Sequence, residues 1–343
     1  MAMKSFASDN YAPVHPSVIE EIVKANADHV KAYGADEITA KAIELIKTAV
    51  GDQRCEVSFV FNGTGANVTG LQTVMNSWNA VICASTAHIN VDEGGAPERL
   101  LGVKLIDVAT PNGKLTPELI ANLWIRTGDP HTSQPNVVSI TQSTEMGTVY
   151  TPAEIKALAD ISHENNSYLH MDGARISNAA ASLGVSISDL TSKAGVDIFS
   201  FGGTKNGLMG AEAVVLFKPE LNEKFPWIRK SAMQLASKHR YLAAQFVALL
   251  TNDLWKKNAL QANSMAKLLR SKIENNPKVK ITQDTQSNAI FAILDPNHTV
   301  ELQKNHNFYV WNDNTAEVRL MCSWDTTVED VEKFAADINS VCK

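Results

Sequence analysis

The sequence predicts an α/β fold: a large domain with a mostly parallel sheet between helices, then a smaller C-terminal α+β domain. Three observations carry this. Apolar runs alternate with helical patterns through most of the chain. Those runs are continuously hydrophobic, as strands buried on both faces are. After about Phe217 the texture changes to two long helical patterns and a few short apolar runs. At about 100–200 residues per domain, 343 residues suit two or so. The division read from the sequence is 1–230 for the N-terminal segment and large domain, and 231–343 for the small one.

The elements follow in order. Asp36-Glu37 opens a helix whose apolar face is Ile38, Ala42, Leu45, Ile46 and Ala49, and Gly51 ends it. Thr116-Pro117-Glu118 opens another. Thr151-Pro152-Ala153-Glu154 is a stronger start, because Thr151 caps, Pro152 suits the first turn and Glu154 completes a capping box. Between the helices lie apolar runs at 57–61, 80–84, 102–108, 136–141, 167–171, 197–201 and 211–217. Helical patterns then cover 228–251 and 255–276. Apolar runs at 288–294 and 316–322 flank a stretch near 299–305, and a last helix starts at Thr326.

Hydrophobic residues make up 44% and charged ones 20%, an ordinary globular composition that excludes a disordered chain. The net charge of −6, without a basic stripe, argues against nucleic-acid or anionic-membrane binding and favours a small-molecule partner. The opening MAMKSFASDNYAPVHP has no apolar run behind Lys4, so no secretory signal is expected. No run of about 18 apolar residues occurs, so no membrane span is expected. Cys55, Cys83, Cys322 and Cys342 are scattered, which suits free thiols in a reducing cytoplasm better than a disulfide or metal site.

Ligands in such sheets bind beyond the carboxyl ends of the strands, so the residues there carry the chemistry. After 57–61 comes Asn62-Gly63-Thr64-Gly65-Ala66-Asn67, a glycine-rich turn into a helix that suits phosphate. It is neither a P-loop nor a dinucleotide fingerprint, since no Gly-Lys-Ser/Thr follows and Gly70 is misplaced. After 80–84 come Thr86, His88 and Asp92-Glu93-Gly94-Gly95, where His88 is placed to stack on a flat ligand. After 167–171 comes Asp172-Gly173-Ala174-Arg175, an acid suited either to a helix cap or to a ring nitrogen. After 197–201 comes Gly202-Gly203-Thr204-Lys205-Asn206-Gly207, whose glycines permit close approach to a lysine at a buried strand end. Together these are the three grips of a pyridoxal phosphate site: a lysine for the aldehyde, an acid for the pyridine nitrogen and a helix N-terminus for the phosphate.

On Ser8-Asp9, Tyr33-Gly34, NGTGAN (62–67), AHINVDEGG (87–95), HMDGARI (170–176), FGGTKNG (201–207) and VRLMCSWDT (318–326), the sequence resembles the threonine aldolase / β-eliminating lyase group of fold-type-I pyridoxal phosphate enzymes. The resemblance runs over nearly the whole chain. The SDN opening and the GGTKNG loop differ from the SDT and Ser-Lys pattern usual in bacterial aldolases, and look like the low-specificity and phenylserine-type branch.

The resemblance implies that Lys205 binds the cofactor, Asp172 faces its ring nitrogen and His88 stacks on the ring. It implies that Gly63, Thr64 and Gly65 hold the phosphate, with Lys238 as a loosely matched basic contact. Arg175 and Arg319 become anion contacts, for cofactor and substrate in the first case and for the substrate carboxylate, with Ser8, in the second. His131 matches a second histidine near the substrate hydroxyl, and Tyr33 is expected to reach in from a neighbouring subunit of a homodimer or homotetramer. The implied reaction cleaves threonine, allo-threonine or phenylserine between Cα and Cβ, giving glycine and an aldehyde. His88, His131 or a water they hold takes the hydroxyl proton. A β-eliminating lyase or racemase with the same Lys and Asp stands as an alternative, as does a non-catalytic small-molecule binder. The sequence assigns no metal.

Overall fold

The computed structural model describes residues 4–343. Met1–Met3, where the segment expected to lack a secretory signal begins, lie outside the described residues. Seven strands form the first sheet: β1 (Glu56–Val60), β2 (Asn79–Ala84), β3 (Lys104–Val108), β4 (Gln134–Thr141), β5 (Tyr168–Gly173), β6 (Ile198–Gly202) and β7 (Glu212–Leu216). Their spatial order is β1-β7-β6-β5-β4-β2-β3, and β7 alone runs against its neighbours. This is the fold-type-I architecture expected from the buried apolar runs. Strands β2, β6 and β7 are buried at every position, which is why their sequences do not alternate.

The local signals act as read. Asp36 caps the helix Glu37–Val50 and Gly51 ends it with φ +69°. Thr151 accepts the Glu154 N–H at 3.3 Å while Glu154 Oε2 accepts the Thr151 N–H at 2.7 Å, opening the helix Pro152–Glu164. The helix from Thr116 is only the short turn Pro117–Ile120, and Thr116 makes no side-chain cap there.

The 228–251 pattern divides. A helix over Phe225–Ser231 ends before Met233, which takes φ +63°, and helix resumes at Arg240–Leu250. The break turns Gln234 toward the first sheet, where its Oε1 accepts the Phe61 N–H at 3.0 Å. A tertiary contact here overrides a helical preference worth tenths of a kcal/mol per residue.

A second sheet, antiparallel, has the order β10-β11-β9-β8, from β8 (Lys280–Ile281), β9 (Ala289–Ile293), β10 (Tyr309–Asn312) and β11 (Glu317–Met321). The stretch near 299–305 lies in and just beyond the helix Pro296–Gln303. The last helix is Val328–Val341, capped by Thr327. The two sheets have separate cores. Leu269, Ile290, Val318 and Phe334 belong to the second, and Phe6 from the start of the chain joins them, 4.5 Å from the Phe334 ring. Residues on either side of 230 share the first core, because Leu242, Phe246 and Leu249 pack beneath β1 and β6. The N-terminal strand of chain thus clamps the small sheet against the large one, bringing Ser8 and Asp9 beside the carboxyl ends of β5 and β6. All four cysteines are buried free thiols.

Candidate active site

A cavity of about 250 Å³ lies where the strand-end loops meet, lined by Asn62, Gly63, Thr64, His88, Asp172 and Lys205 among others. One wall is the N-terminus of the helix Gly63–Gln72. Asn62 caps it, with Oδ1 accepting the Gly65 N–H at 2.7 Å. Gly65 is therefore already engaged, and the free first-turn donors facing the cavity are those of Gly63 and Thr64. A Cβ on Gly63 would meet nothing within 4 Å, so this wall is open. A Cβ on Gly65 would lie 2.4 Å from Gln234 Cδ, so that glycine serves packing. The wall suits a dianionic group by its free N–H groups and its helix dipole.

Asp172 ends β5 and is buried. Its Oδ1 accepts the Ala174 N–H at 2.9 Å and its Oδ2 accepts Asn67 Nδ2 at 2.9 Å. Asn67 Nδ2 also donates to Glu93 Oε1 at 2.9 Å, and that oxygen lies 2.9 Å from His88 Nδ1. The Glu93 bond holds the His88 pKa above its usual value, against burial and the Lys205 charge. The His88 backbone N–H donates to Glu145 Oε1 at 2.9 Å. Burial, and then the Asp172 charge, push the Glu145 carboxyl up, while bonds from Thr141 and His88 hold it back.

Lys205 sits in the turn Thr204–Asn206 just beyond β6. Burial and the Arg175 charge lower its pKa, which favours the nucleophilic free amine. Glu212 on β7 accepts the Gly203 N–H at 2.7 Å, and burial pushes it up to about 7.

Next to Ala174 of the lining, Arg175 makes a two-pronged bond to Asp9, Nε to Oδ2 at 2.7 Å and Nη2 to Oδ1 at 2.9 Å. Arg319 on β11 is different. It makes one long contact, Nη2 to the Ala7 carbonyl at 3.4 Å, and its Nε is buried with no partner. Its guanidinium lies over the Trp311 and Tyr309 rings, 4.8 and 5.5 Å from their centroids. Burial, then the Arg175 charge, lower its pKa to about 10. A guanidinium with an unpartnered buried Nε is ready for a carboxylate.

Chemically, this is an anion cradle, a nucleophilic amine, a buried acid and a histidine around one small cavity, with the Arg319 guanidinium outside its lining. The sequence matches the beta-eliminating lyase family over residues 5–295. The chain belongs to that family. It is similar to a protein of Pseudomonas aeruginosa named low specificity L-threonine aldolase, 42% identical over 98% of each chain. A solved threonine aldolase of Leishmania major shares 28% identity and superposes with a TM-score of 0.93 over 99% of each chain. A Sphingomonas wittichii serine palmitoyltransferase, 15% identical, shares the fold with a TM-score of 0.74 over 99% of this chain and 87% of its own.

Within this family framework Gly63, Thr64, His88, Asp172 and Lys205 line one cavity, as the sequence reading expected. Ser8 and Arg319 are not in that lining, and Arg319 reaches the Ala7 carbonyl, one residue before Ser8. Others stand elsewhere. His131 is on an exposed turn before β4, its N–H bonded to Asp129 Oδ1 at 2.9 Å. It precedes the amino end of β4, about 23 Å of strand from the Asp172 end at 3.3 Å per residue, so it does not reach the hydroxyl site of its own chain. Lys238 is also exposed and outside the cavity, and it is Gln234 and Arg229 that reach the end of β1, at Phe61 and Phe59. Arg229 Nε is buried without a partner there. Arg175 is paired with Asp9 through Nε and Nη2. Tyr33 is exposed, with φ +60°, beside Lys230.

The sequence reading missed Glu145, Glu212 and the pairing of Asp9, while Asn67 and Glu93 lie in its motifs without a role. Glu145 lies just beyond the carboxyl end of β4 as Lys205 lies just beyond that of β6, and that position was its signal. Among the described residues no group of three or more His, Cys, Asp or Glu is arranged for a metal ion, and no helix is long and apolar enough to cross a membrane.

Proposed function

We propose that this chain is a pyridoxal-phosphate-dependent aldolase that cleaves β-hydroxy-α-amino acids, threonine and allo-threonine first, to glycine and an aldehyde. The observation that carries the reading is Lys205 and Asp172 on one cavity with an open helix N-terminus. The full-length likeness to a low specificity L-threonine aldolase supports it.

The residues fit the cofactor. Gly63 and Thr64 offer free N–H groups to its phosphate, with Arg229 as the nearest buried cation with an unpaired donor. Asp172 offers a carboxylate to its ring nitrogen, and Lys205 an amine to its aldehyde. When bound, the cofactor supplies an electron sink for the carbon left at Cα.

The protein's own groups do the rest. Arg319 and Ser8 hold the substrate carboxylate, which fixes the bond that stands ready to break. Asp172 keeps the ring nitrogen protonated. His88, on the cavity wall, takes the hydroxyl proton of the substrate as Cα–Cβ breaks. Glu145 holds the His88 backbone in place. The low-dielectric setting of Lys205 keeps its amine available when substrate amine replaces it.

The exposed Tyr33 and Met233 suit contact with a second copy, so a homodimer or homotetramer is our reading of the assembly. Four buried free thiols suit a reducing, cytoplasmic setting. Purified protein incubated with threonine, allo-threonine and phenylserine should release aldehyde in step with glycine. Release of ammonia and a keto acid, or loss of optical activity without aldehyde, would favour elimination or racemisation.

A further inference from the structure

We infer that Glu93 is a positioning residue that makes Nε2 of His88 the proton acceptor of the site, and that Asn67 ties this pair to Asp172. The inference rests on the aldolase reading for what the acceptor does, and on geometry alone for which nitrogen it is.

Glu93 Oε1 receives two groups, Asn67 Nδ2 at 2.9 Å and His88 Nδ1 at 2.9 Å. The Asn67 amide can only donate through its nitrogen, so Oε1 is an acceptor. A lone pair on Nδ1 would face that oxygen repulsively, so Nδ1 carries the hydrogen. The neutral ring then holds its lone pair on Nε2. His88 lines the cavity, and Nε2 has no hydrogen-bond partner among the described residues. A base held by a carboxylate at one nitrogen and open at the other is the working arrangement of a catalytic histidine.

Asn67 is 1% exposed and gives one N–H to each of two carboxylates, Glu93 and Asp172. An amide bridges two acids without adding charge. It fixes the tilt of the histidine relative to the acid that would meet the ring nitrogen. A role in stability alone explains the network poorly. Asn67 Oδ1 and Glu93 Oε2 are buried with no partner, a cost that a packing device would avoid.

The charged and titratable groups facing His88 are Glu93 after its own helix, Glu145 after β4, Asp172 on β5 and Lys205 beyond β6. Glu93 outweighs burial and Lys205, so the His88 pKa lies above its usual value. The base must be neutral to work. Glu93 therefore moves the acidic limb of the pH profile upward and strengthens the base above it.

Glu93→Gln keeps an oxygen for the Nδ1 hydrogen and removes the charge. Isotope-labelled histidine read by NMR, with His88→Asn to assign the signal, reports tautomer and titration in the holoenzyme. In the wild type the neutral ring should be the Nδ1–H form. In Glu93→Gln the His88 pKa should fall, the acidic limb of kcat/KM should follow it to lower pH, and kcat at neutral pH should drop at least about tenfold. An unchanged titration and limb in folded Glu93→Gln would overturn the inference. So would an Nε2–H tautomer in the wild type, a result that needs no variant. Absence of aldehyde release by the wild type would instead overturn the aldolase reading, because the ring titration is read separately.

Discussion

Asp9→Asn removes one charge from the most buried ion pair in the site and changes almost no volume. Asp9 is 3% exposed, and the Arg175 side chain meets it with two bonds of 2.7 and 2.9 Å. Asn288 Nδ2 adds a third at 3.1 Å. Removing one partner of a buried pair costs about 3–5 kcal/mol, because the other charge is left stranded. Two charge-assisted bonds at about 1.5–3 kcal/mol each give roughly 3–6 kcal/mol, the same range by another route. The pH dependence has a definite sign. Burial pushes Asp9 up, but the Arg175 charge and hydrogen bonds outweigh it and leave the pKa below its usual value. The pair's contribution is thus complete above the unfolded pKa and is lost as pH falls through the folded one. Urea unfolding at neutral pH, and then along an acid series, measures both. The variant should lose about 3–5 kcal/mol at neutral pH and lose less than wild type on acidification. Asp9→Leu with Arg175→Met should recover most of the loss, since an apolar pair strands no charge. A single variant within about 0.5 kcal/mol of wild type would refute the claim that this pair clamps the N-terminal segment to the site.

Two further outcomes follow from particular contacts. Arg319→Lys should raise KM for threonine and lower kcat while leaving cofactor absorbance intact, because a point charge cannot replace a planar fork; steady-state kinetics beside an absorbance scan check it, and unchanged constants would remove Arg319 from the site. Gly202→Ala should cost about 1–3 kcal/mol of stability, because the added Cβ would stand 2.5 Å from backbone Ala174 Cα; a urea midpoint equal to wild type would contradict that packing.

Local signals were legible because their partners lie within one helical turn. Thr151 and Glu154 announce a helix start that needs nothing else, and Asp36 and Gly51 bound another. Asp172 and Lys205 were legible for a related reason, since each follows an apolar run whose burial is written in its own composition. The pairing of Arg175 with Asp9 spans 166 residues, and no local pattern encodes it. Gln234 reaches Phe61 across 173 residues, so the helical pattern around it reads as continuous although the chain breaks at Met233. Lys238, beyond that break, lies outside the cavity. His131 came from the family resemblance, yet strand direction puts it at the amino end of β4 and puts Glu145 beyond the carboxyl end. Glu93 was visible, but its meaning depends on Asn67, 26 residues earlier.

If Lys205 carries the cofactor in this cavity, borohydride reduction of the purified protein, followed by digestion and mass analysis, should place a pyridoxyl group on the peptide containing Lys205 and on no other. A pyridoxyl group on a different lysine, or none on a protein that nonetheless releases aldehyde from threonine, would contradict it.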